Sequence, residues 1–436
     1  MDNIGKYKII RKLGEGGTSN VLLAIDPFNS QQVALKLIEL NSIRDKATAK
    51  AHKKLLQVEA SLVGKLQHPH IVHMLDAVIT DELSYIVMEY VDGGSLEQYA
   101  EPGRLLPIAT VADIMFKCCK ALEYAQDQGV IHRDIKPANI LMHGQGEIKI
   151  SDFGAAMIAD GDSTMVIGVG SPSYMSPEQI TGERLTHQTD IYSLGVTMYR
   201  LLTGKSPFQA TTRHGLFHQI VNNEQTPVGV HRPDIPGKLD AIIKRATRRD
   251  FSQRYQTWGE FADDLSSFLN LNDNGQEVIF DAEKFDAMRR TPFFEKFSDV
   301  ELWEVLHLSK WHKVRKGASI LNAGDMGNTF FILADGVAKV LRNGNLVDFL
   351  HKGDCFGEIK RLPDSDYLRT TGVEAGTDCI LFEVDLDVLE KASLECRYQF
   401  NEAFLHILLK RLHSANTRIS KLLGAKEYYG VPVKPV

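Results

Sequence analysis

The sequence predicts a multidomain α+β protein, in which a bilobal unit is followed by a β-barrel or jelly roll with flanking helices. Three observations predict it. Alternating apolar runs dominate up to about residue 96, helical periodicity takes over from about 108, and short strands spaced by glycines return after 314. At about 150 residues per domain, 436 residues imply two or three units.

The elements follow in order. QQVALKLIEL (31–40) and YIVMEYV (85–91) alternate as strands do. Between them a helix is predicted over 47–67, with Leu55, Leu62 and Leu66 on one stripe. Val111, Met115, Cys118 and Leu122 mark a buried helix, and Ile191, Leu194, Met198 and Leu201 mark another. A small β-rich lobe therefore precedes a larger helical one. NLNDNGQEVIFDAEK (270–284) is polar with turn residues and reads as a linker. Beyond it, Gly317, Gly324, Gly336, Gly344, Gly353 and Gly357 punctuate short strands over 314–384, the pattern of a compact barrel. A helical tail over 386–423 closes the fold.

Composition narrows the function classes. Apolar residues make up 43% and charged residues 24%, and a net charge of -6 gives no reason to expect nucleic acid or an anionic membrane as partner. Cys118, Cys119, Cys355, Cys379 and Cys396 form no CxxC pair and read as reduced structural thiols. The start, MDNIGKYKII, has no apolar signal core, and no run approaches the ~18 apolar residues of a membrane span. These features predict a soluble, cytoplasmic protein with neither nucleic acid nor membrane as partner.

Between two strand-like runs lies LGEGGTSNV: Leu13, Gly14, Glu15, Gly16, Gly17, Thr18, Ser19, Asn20 and Val21. Its glycines let the backbone approach phosphates closely, although an ordinary hairpin uses the same residues. Lys36 sits in the apolar strand VALK beside Ala34, and Glu59 falls on the stripe of Leu55, Leu62 and Leu66. Each charge costs desolvation energy where it stands. An ion pair across the lobe would resolve both, leaving the lysine to hold phosphates. Taken singly, each is better explained as a snorkelling lysine or a helix-edge glutamate.

The runs IHRDIKPANILM (131–142) and IKISDFG (148–154) carry the chemistry. They match a phosphotransfer loop and a metal-binding turn, in which Asp134 orients an attacking hydroxyl and Lys136 stabilises the transferring group. Asn139 and Asp152 supply hard oxygens suited to Mg²⁺ on the ATP phosphates.

With these motifs, residues 7–268 resemble a eukaryotic-type (Hanks-type) Ser/Thr protein kinase. HPHIV (68–72) fits the same pattern. The resemblance implies ATP and Mg²⁺ as cofactors and protein Ser/Thr hydroxyls as substrates, with autophosphorylation. It makes YIVMEYVDGGSL (85–96) the hinge and puts Ala34, Met88, Glu89 and Val91 around adenine. GSPSYMSPE (170–178) resembles the substrate-binding loop, and Lys136 with Ser171 resembles Ser/Thr rather than Tyr specificity. Asp190 resembles the buried anchor of the catalytic loop, and Arg254 the partner of Glu178. Arg133 resembles a receiver for an activation-loop phosphate, for which Ser163 and Thr164 are the acceptors.

VRKGASILNAGDMGNTFFILADGVAKV (314–340) and HKGDCFGE (351–358) resemble the cyclic nucleotide-binding fold over about 290–423, with a lead-in helix across 291–306. That likeness implies a pocket of Gly357, Glu358, Lys360, Arg369, Thr370 and Thr371, with Glu358 on the ribose and Arg369 on the phosphate. Lys360 stands where the family has a small alanine, and Gly372 where it has threonine or alanine. Two readings therefore stand: a sensor of a cyclic nucleotide, or a degenerate dimerisation and docking module. Leu405, Leu408, Leu412, Ala415, Ile419 and Leu422 repeat at heptad spacing and predict a homodimer through 400–423, the alternative being a helix packed on its own barrel. RRTP (289–292) reads as the start of a helix rather than a phosphoacceptor or pseudosubstrate. The expected boundaries are a kinase domain 7–268, a linker 269–284, a regulatory domain 285–425 and a tail 426–436.

Overall fold

Strand alternation sorts the first six strands into two faces. β1 (Asn3–Ile4), β2 (Tyr7–Glu15), β3 (Ser19–Ile25), β4 (Gln32–Ile38), β5 (Met74–Ile79) and β6 (Ser84–Glu89) form an antiparallel sheet in the order β1-β2-β3-β4-β6-β5. Val33, Leu35, Tyr85 and Val87 pack into one core on the first face. The period of two then sends Ala34 and Lys36 to the other face, opposite Met88 and Ile86. The structure, a computed structural model, describes residues 3–15, 19–38, 53, 56–80, 83–144, 146–153, 157–158, 171–271, 279–325, 329–357, 368–369 and 371–428.

A helical lobe follows, built on α1 (Ile108–Asp127), α2 (His187–Thr203), α3 (Gly237–Ala246) and α4 (Trp258–Leu271). The apolar stripes read from the sequence, Val111 to Leu122 and Ile191 to Leu201, are buried. Thr186 caps α2 by accepting from the Gln188 N–H. Within α2, Gly195 lets α3 approach, since a Cβ there would lie 2.8 Å from the Ala246 methyl. Between α1 and α2, β7 (Val130–Ile131), β8 (Ile140–His143), β9 (Glu147–Ile150) and β10 (Met157–Ile158) pair as β8 with β9 and β7 with β10. An isolated bridge from Ile71 to Ile150 joins the β8–β9 hairpin to the start of the sheet's last hairpin.

The chain divides into two units, Met1–Asn274 and Gly275–Val436. The second opens with α5 (Asp281–Arg289) and α6 (Asp299–Leu308). Two four-stranded sheets follow, made of β11 (Ser309–Val314), β12 (Ser319–Leu321), β13 (Thr329–Asp335), β14 (Ala338–Arg342), β15 (Asn345–Leu350), β16 (Cys355–Phe356), β17 (Gly372–Ala375) and β18 (Cys379–Asp385). Their orders are β11-β18-β13-β16 and β12-β17-β14-β15. Phe331, Leu333, Leu350, Phe356, Val373 and Leu381 fill the space they enclose. The six glycines singled out at turns all have positive φ. α7 (Leu394–Tyr428) ends the unit.

Three local expectations are revised. RRTP does not start a helix: α5 ends at Arg289, and Pro292–Phe294 is a short 3-10 turn. The lead-in helix starts at Asp299 rather than 291, because Ser298 and Glu301 form a reciprocal capping box there. Thr291 is 1% exposed and its hydroxyl donates to the Ala287 carbonyl at 2.7 Å, so it offers no phosphoacceptor. Finally, α4 runs to Leu271 and α5 begins at Asp281, both inside the 269–284 segment read as linker. Among the described residues no helix is long and apolar enough to cross a membrane.

Candidate active site

Lys36 reaches the site from the middle of β4, on the face away from the sheet's own core. Its ammonium lies 2.8 and 2.9 Å from the two Glu59 oxygens and 2.5 Å from Asp152 Oδ1. Glu59 comes from the helical residues 56–60 and is 2% exposed. Burial alone would lower the Lys36 pKa, but Glu59 and Asp152 outweigh it and raise it above the ordinary lysine value. Burial likewise pushes Asp152 up, yet Lys36 holds its carboxyl down to about 2. Asp152 therefore stays ionised at neutral pH.

The catalytic loop is fixed from below. Asp190, buried in the first turn of α2, accepts the N–H groups of His132 and Arg133 at 2.7 Å each. Asp134 follows. Its Oδ2 meets Lys136 Nζ at 2.6 Å and its Oδ1 accepts the Ser171 N–H at 2.8 Å. Lys136 also donates to the Ser171 hydroxyl at 2.8 Å. Asn139 donates from Nδ2 to the Asp134 carbonyl at 2.8 Å, leaving its amide oxygen as an acceptor. Ile140 pairs with Ile150 across the β8–β9 hairpin, and the Ser151 N–H bonds the Asn139 carbonyl at 2.8 Å. The hairpin thus sets Asn139 beside the turn that carries Asp152, which has φ 63°. An amide oxygen and an ionised carboxylate make a donor set that suits a hard divalent cation.

The other expected residues are distributed as follows. Val21 opposes Lys36 and Ala34 opposes Met88, so both pairs face the same side of the sheet as the lysine. Leu13 and Gly14 lie in β2, while Glu15 is exposed and pairs with Lys12. Asn20 follows Ser19 in β3. Glu89 turns its carboxylate away to bond the His73 N–H at 2.7 Å and Lys149 at 2.8 Å, which leaves only its backbone for a hinge role. Val91 is buried just beyond. Gly16, Gly17, Thr18, Ser163, Thr164, Glu358, Lys360 and Thr370 lie outside the described residues.

Sequence reasoning did not single out His132 and Lys149. His132 packs its ring on Phe153 at 4.6 Å and bonds the Ser151 carbonyl, bracing the Asp152 turn. The signal was its place in HRD, masked there by the more obvious aspartate. Lys149 gives no sequence signal, because its partner Glu89 is 60 residues away.

In the second unit, Gly357, Arg369 and Thr371 line one cleft with Leu321, Phe356 and Val373. Arg369 is 7% exposed, bonds Thr329 Oγ1 at 3.2 Å and lies over the Phe331 ring. Gly357 makes room for it: with φ 91°, a Cβ there would lie 2.7 Å from Arg369 Nη1. Leu405, Leu412 and Ile419 of α7 are exposed.

A β-rich lobe presenting a doubly paired lysine, a helical lobe presenting Asp134, and the turn that brings Asp152 to that lysine define a protein kinase domain. The chain belongs to the protein kinase family, of Hanks type, with a cyclic nucleotide-binding domain after the kinase domain: the protein kinase domain model matches residues 7–265 and the cyclic nucleotide-binding domain model residues 311–395. Bacterial serine/threonine-protein kinases are among its curated relatives. Serine/threonine-protein kinase PrkC of Bacillus subtilis (strain 168) is 31% identical over 316 residues, covering 72% of this chain and 46% of that protein. A probable serine/threonine-protein kinase PknB of Lactococcus lactis is 31% identical over 290 residues, covering 66% and 46%. Serine/threonine-protein kinase PknB of Mycobacterium leprae is 34% identical over 268 residues, covering 60% and 42%. The chain spans less than half the length of each of these relatives.

Proposed function

We propose that this chain transfers the γ-phosphoryl group of ATP, with Mg²⁺, to Ser and Thr hydroxyls of proteins in the cytoplasm, its own included. The Lys36 contacts to Glu59 and Asp152 carry the reading: a buried lysine oriented by Glu59, next to the hard oxygen donors of Asp152, suits the phosphates of a metal-bound nucleotide. Asn139 and Asp152 would hold the magnesium, which supplies charge neutralisation at the β- and γ-phosphates. Asp134 accepts the hydroxyl proton as the new O–P bond forms and the bond to the β-phosphate oxygen breaks, releasing ADP. Lys136, already 2.6 Å from Asp134, bears on the transferring group. Incubation with γ-labelled ATP and an acceptor protein tests this: label on phosphoserine or phosphothreonine supports it, and no label in the presence of Mg²⁺ refutes it.

The buried Arg369 favours an anionic ligand in the second unit, and a cyclic nucleotide fits the cleft's family. Such a ligand would shift the kinase by no more than its differential affinity for the two states. The docking-module alternative rests on the exposed leucines of α7, which suit a homodimer. Calorimetry with cyclic AMP and cyclic GMP, beside the mass of the protein in solution, separates these readings.

A further inference from the structure

Arg133 holds a left-handed backbone, φ 70°, a conformation that a residue with a side chain keeps only when its surroundings enforce it. Asp190 enforces it from the N–H side. The carbonyl side is held by a residue outside the catalytic loop: Gln179 Nε2 donates to the Arg133 carbonyl at 2.9 Å. The N–H at the other edge of that peptide, belonging to Asp134, lies 3.3 Å from His132 Nδ1. The peptide plane leading into Asp134 is therefore pinned on both edges.

Gln179 is also tied at its other end. Its Oε1 accepts the Ser176 N–H at 2.9 Å, and its own N–H reaches Ser176 Oγ, closing a capping box at the helix Pro177–Thr181. Its neighbour Glu178 is fixed by Arg254 at 2.8 Å. The segment just before that helix begins at Ser171, whose N–H bonds Asp134 Oδ1. Asp134 thus meets the 171–176 segment twice, directly through its carboxylate and indirectly through the peptide that Gln179 holds. Only a side chain that donates and accepts at once serves both bonds, and the amide does so without a charge beside the carbonyl.

We propose that Gln179 is a positioning residue for phosphotransfer: it orients the Arg133–Asp134 peptide and couples the aim of Asp134 to the substrate-binding segment. The inference rests on the phosphotransfer reading and extends it to a residue that touches neither substrate nor nucleotide.

Two variants of the full chain test it. Gln179→Glu keeps the acceptor for Ser176 but loses the donor to Arg133, and Gln179→Leu loses both. A sub-ångström to 1 Å misplacement of a reacting group costs up to about a hundredfold, so kcat of Gln179→Glu at pH 8 should fall roughly tenfold to a hundredfold. The KM for ATP should stay near wild type, since Lys36 and Asp152 are untouched. Gln179→Leu should lose at least as much kcat, again with the KM for ATP near wild type. Hydrogen exchange at the amides of 132–134 should quicken in both variants, whether or not phosphate is transferred. Unchanged exchange there, a wild-type kcat in both variants, or a loss that falls on the KM for ATP rather than on kcat would overturn the assignment. Absence of transfer in the wild type would instead strike the underlying kinase reading, with the exchange result still deciding whether Gln179 holds the loop.

Discussion

The Lys36 ammonium lies 2.5 Å from Asp152 Oδ1 while holding Glu59 at 2.8 Å, so one cation ties a strand, a helix and the turn that carries Asp152 together. The arrangement has a pH signature. Asp152 titrates at about 2 in the folded chain, below the ordinary 3.8 of an aspartate. A depressed folded pKa adds stability that is complete above the unfolded value and is lost as pH falls from about 4 towards 2. With 43% of the Asp152 side chain open to solvent, screening limits the effect to about 1 kcal/mol. Urea unfolding of wild type and Asp152→Asn should therefore differ most near pH 6 and converge near pH 2. A gap that does not shrink contradicts the pairing.

Arg254 and Glu178 are each 1% exposed and 2.8 Å apart, and Arg254 also donates to the carbonyls of Gln188 and Arg248. Removing one partner of such a pair leaves a buried charge unmatched. Arg254→Leu should cost about 3–5 kcal/mol of unfolding free energy. Adding Glu178→Leu to it should recover part of that loss, as measured by denaturant melts of all three variants.

Arg133 is buried, burial lowers its pKa, and its Nε has no hydrogen-bond partner among the described residues. A phosphate on Ser163 or Thr164 would supply one to three charge-assisted hydrogen bonds, enough to shift an active population about tenfold. The Ser163/Thr164 double alanine variant should lose activity by about that factor relative to autophosphorylated wild type. Unchanged activity would remove the loop phosphate from the account.

In the second unit the close approach of Gly357 to Arg369 makes a clean probe. Gly357→Val introduces branched bulk 2.7 Å from the guanidinium at a φ of 91°. Calorimetric affinity for cyclic AMP or cyclic GMP should fall at least about tenfold in this variant, while ATP binding by the kinase unit persists. Equal heats for variant and wild type would contradict a cyclic nucleotide held at Arg369.

Two parts of the kinase unit were legible in the sequence because their residue type contradicts its local setting. Lys36 in an apolar strand and Glu59 on an apolar stripe announced a partner before any coordinates, and the structure brings them to 2.8 Å. Asp134 and Asp152 were legible through local motifs whose spacing is short. Gln179 was not, because a glutamine at the start of a helix is unremarkable until its reach across 46 residues to Arg133 is seen. The helix starts near 291 misled for a related reason. Thr291–Pro292 carries a start signal, but the stronger capping box at Ser298 and Glu301 sets the start seven residues later. In the barrel, turn glycines were readable because each needs a positive φ, whereas a ligand's identity depends on side-chain placement that turns do not encode.

The most direct test compares phosphate transfer by wild type and Asp134→Asn, each incubated with Mg²⁺, γ-labelled ATP and a protein acceptor. Asparagine keeps the shape and, through its single amide oxygen, one of the two accepted bonds from Ser171 and Lys136, but cannot take the hydroxyl proton. The account predicts labelled phosphoserine or phosphothreonine with wild type, loss of at least about a hundredfold in rate with the variant, and ATP binding retained by both. Equal labelling by the two proteins would contradict it.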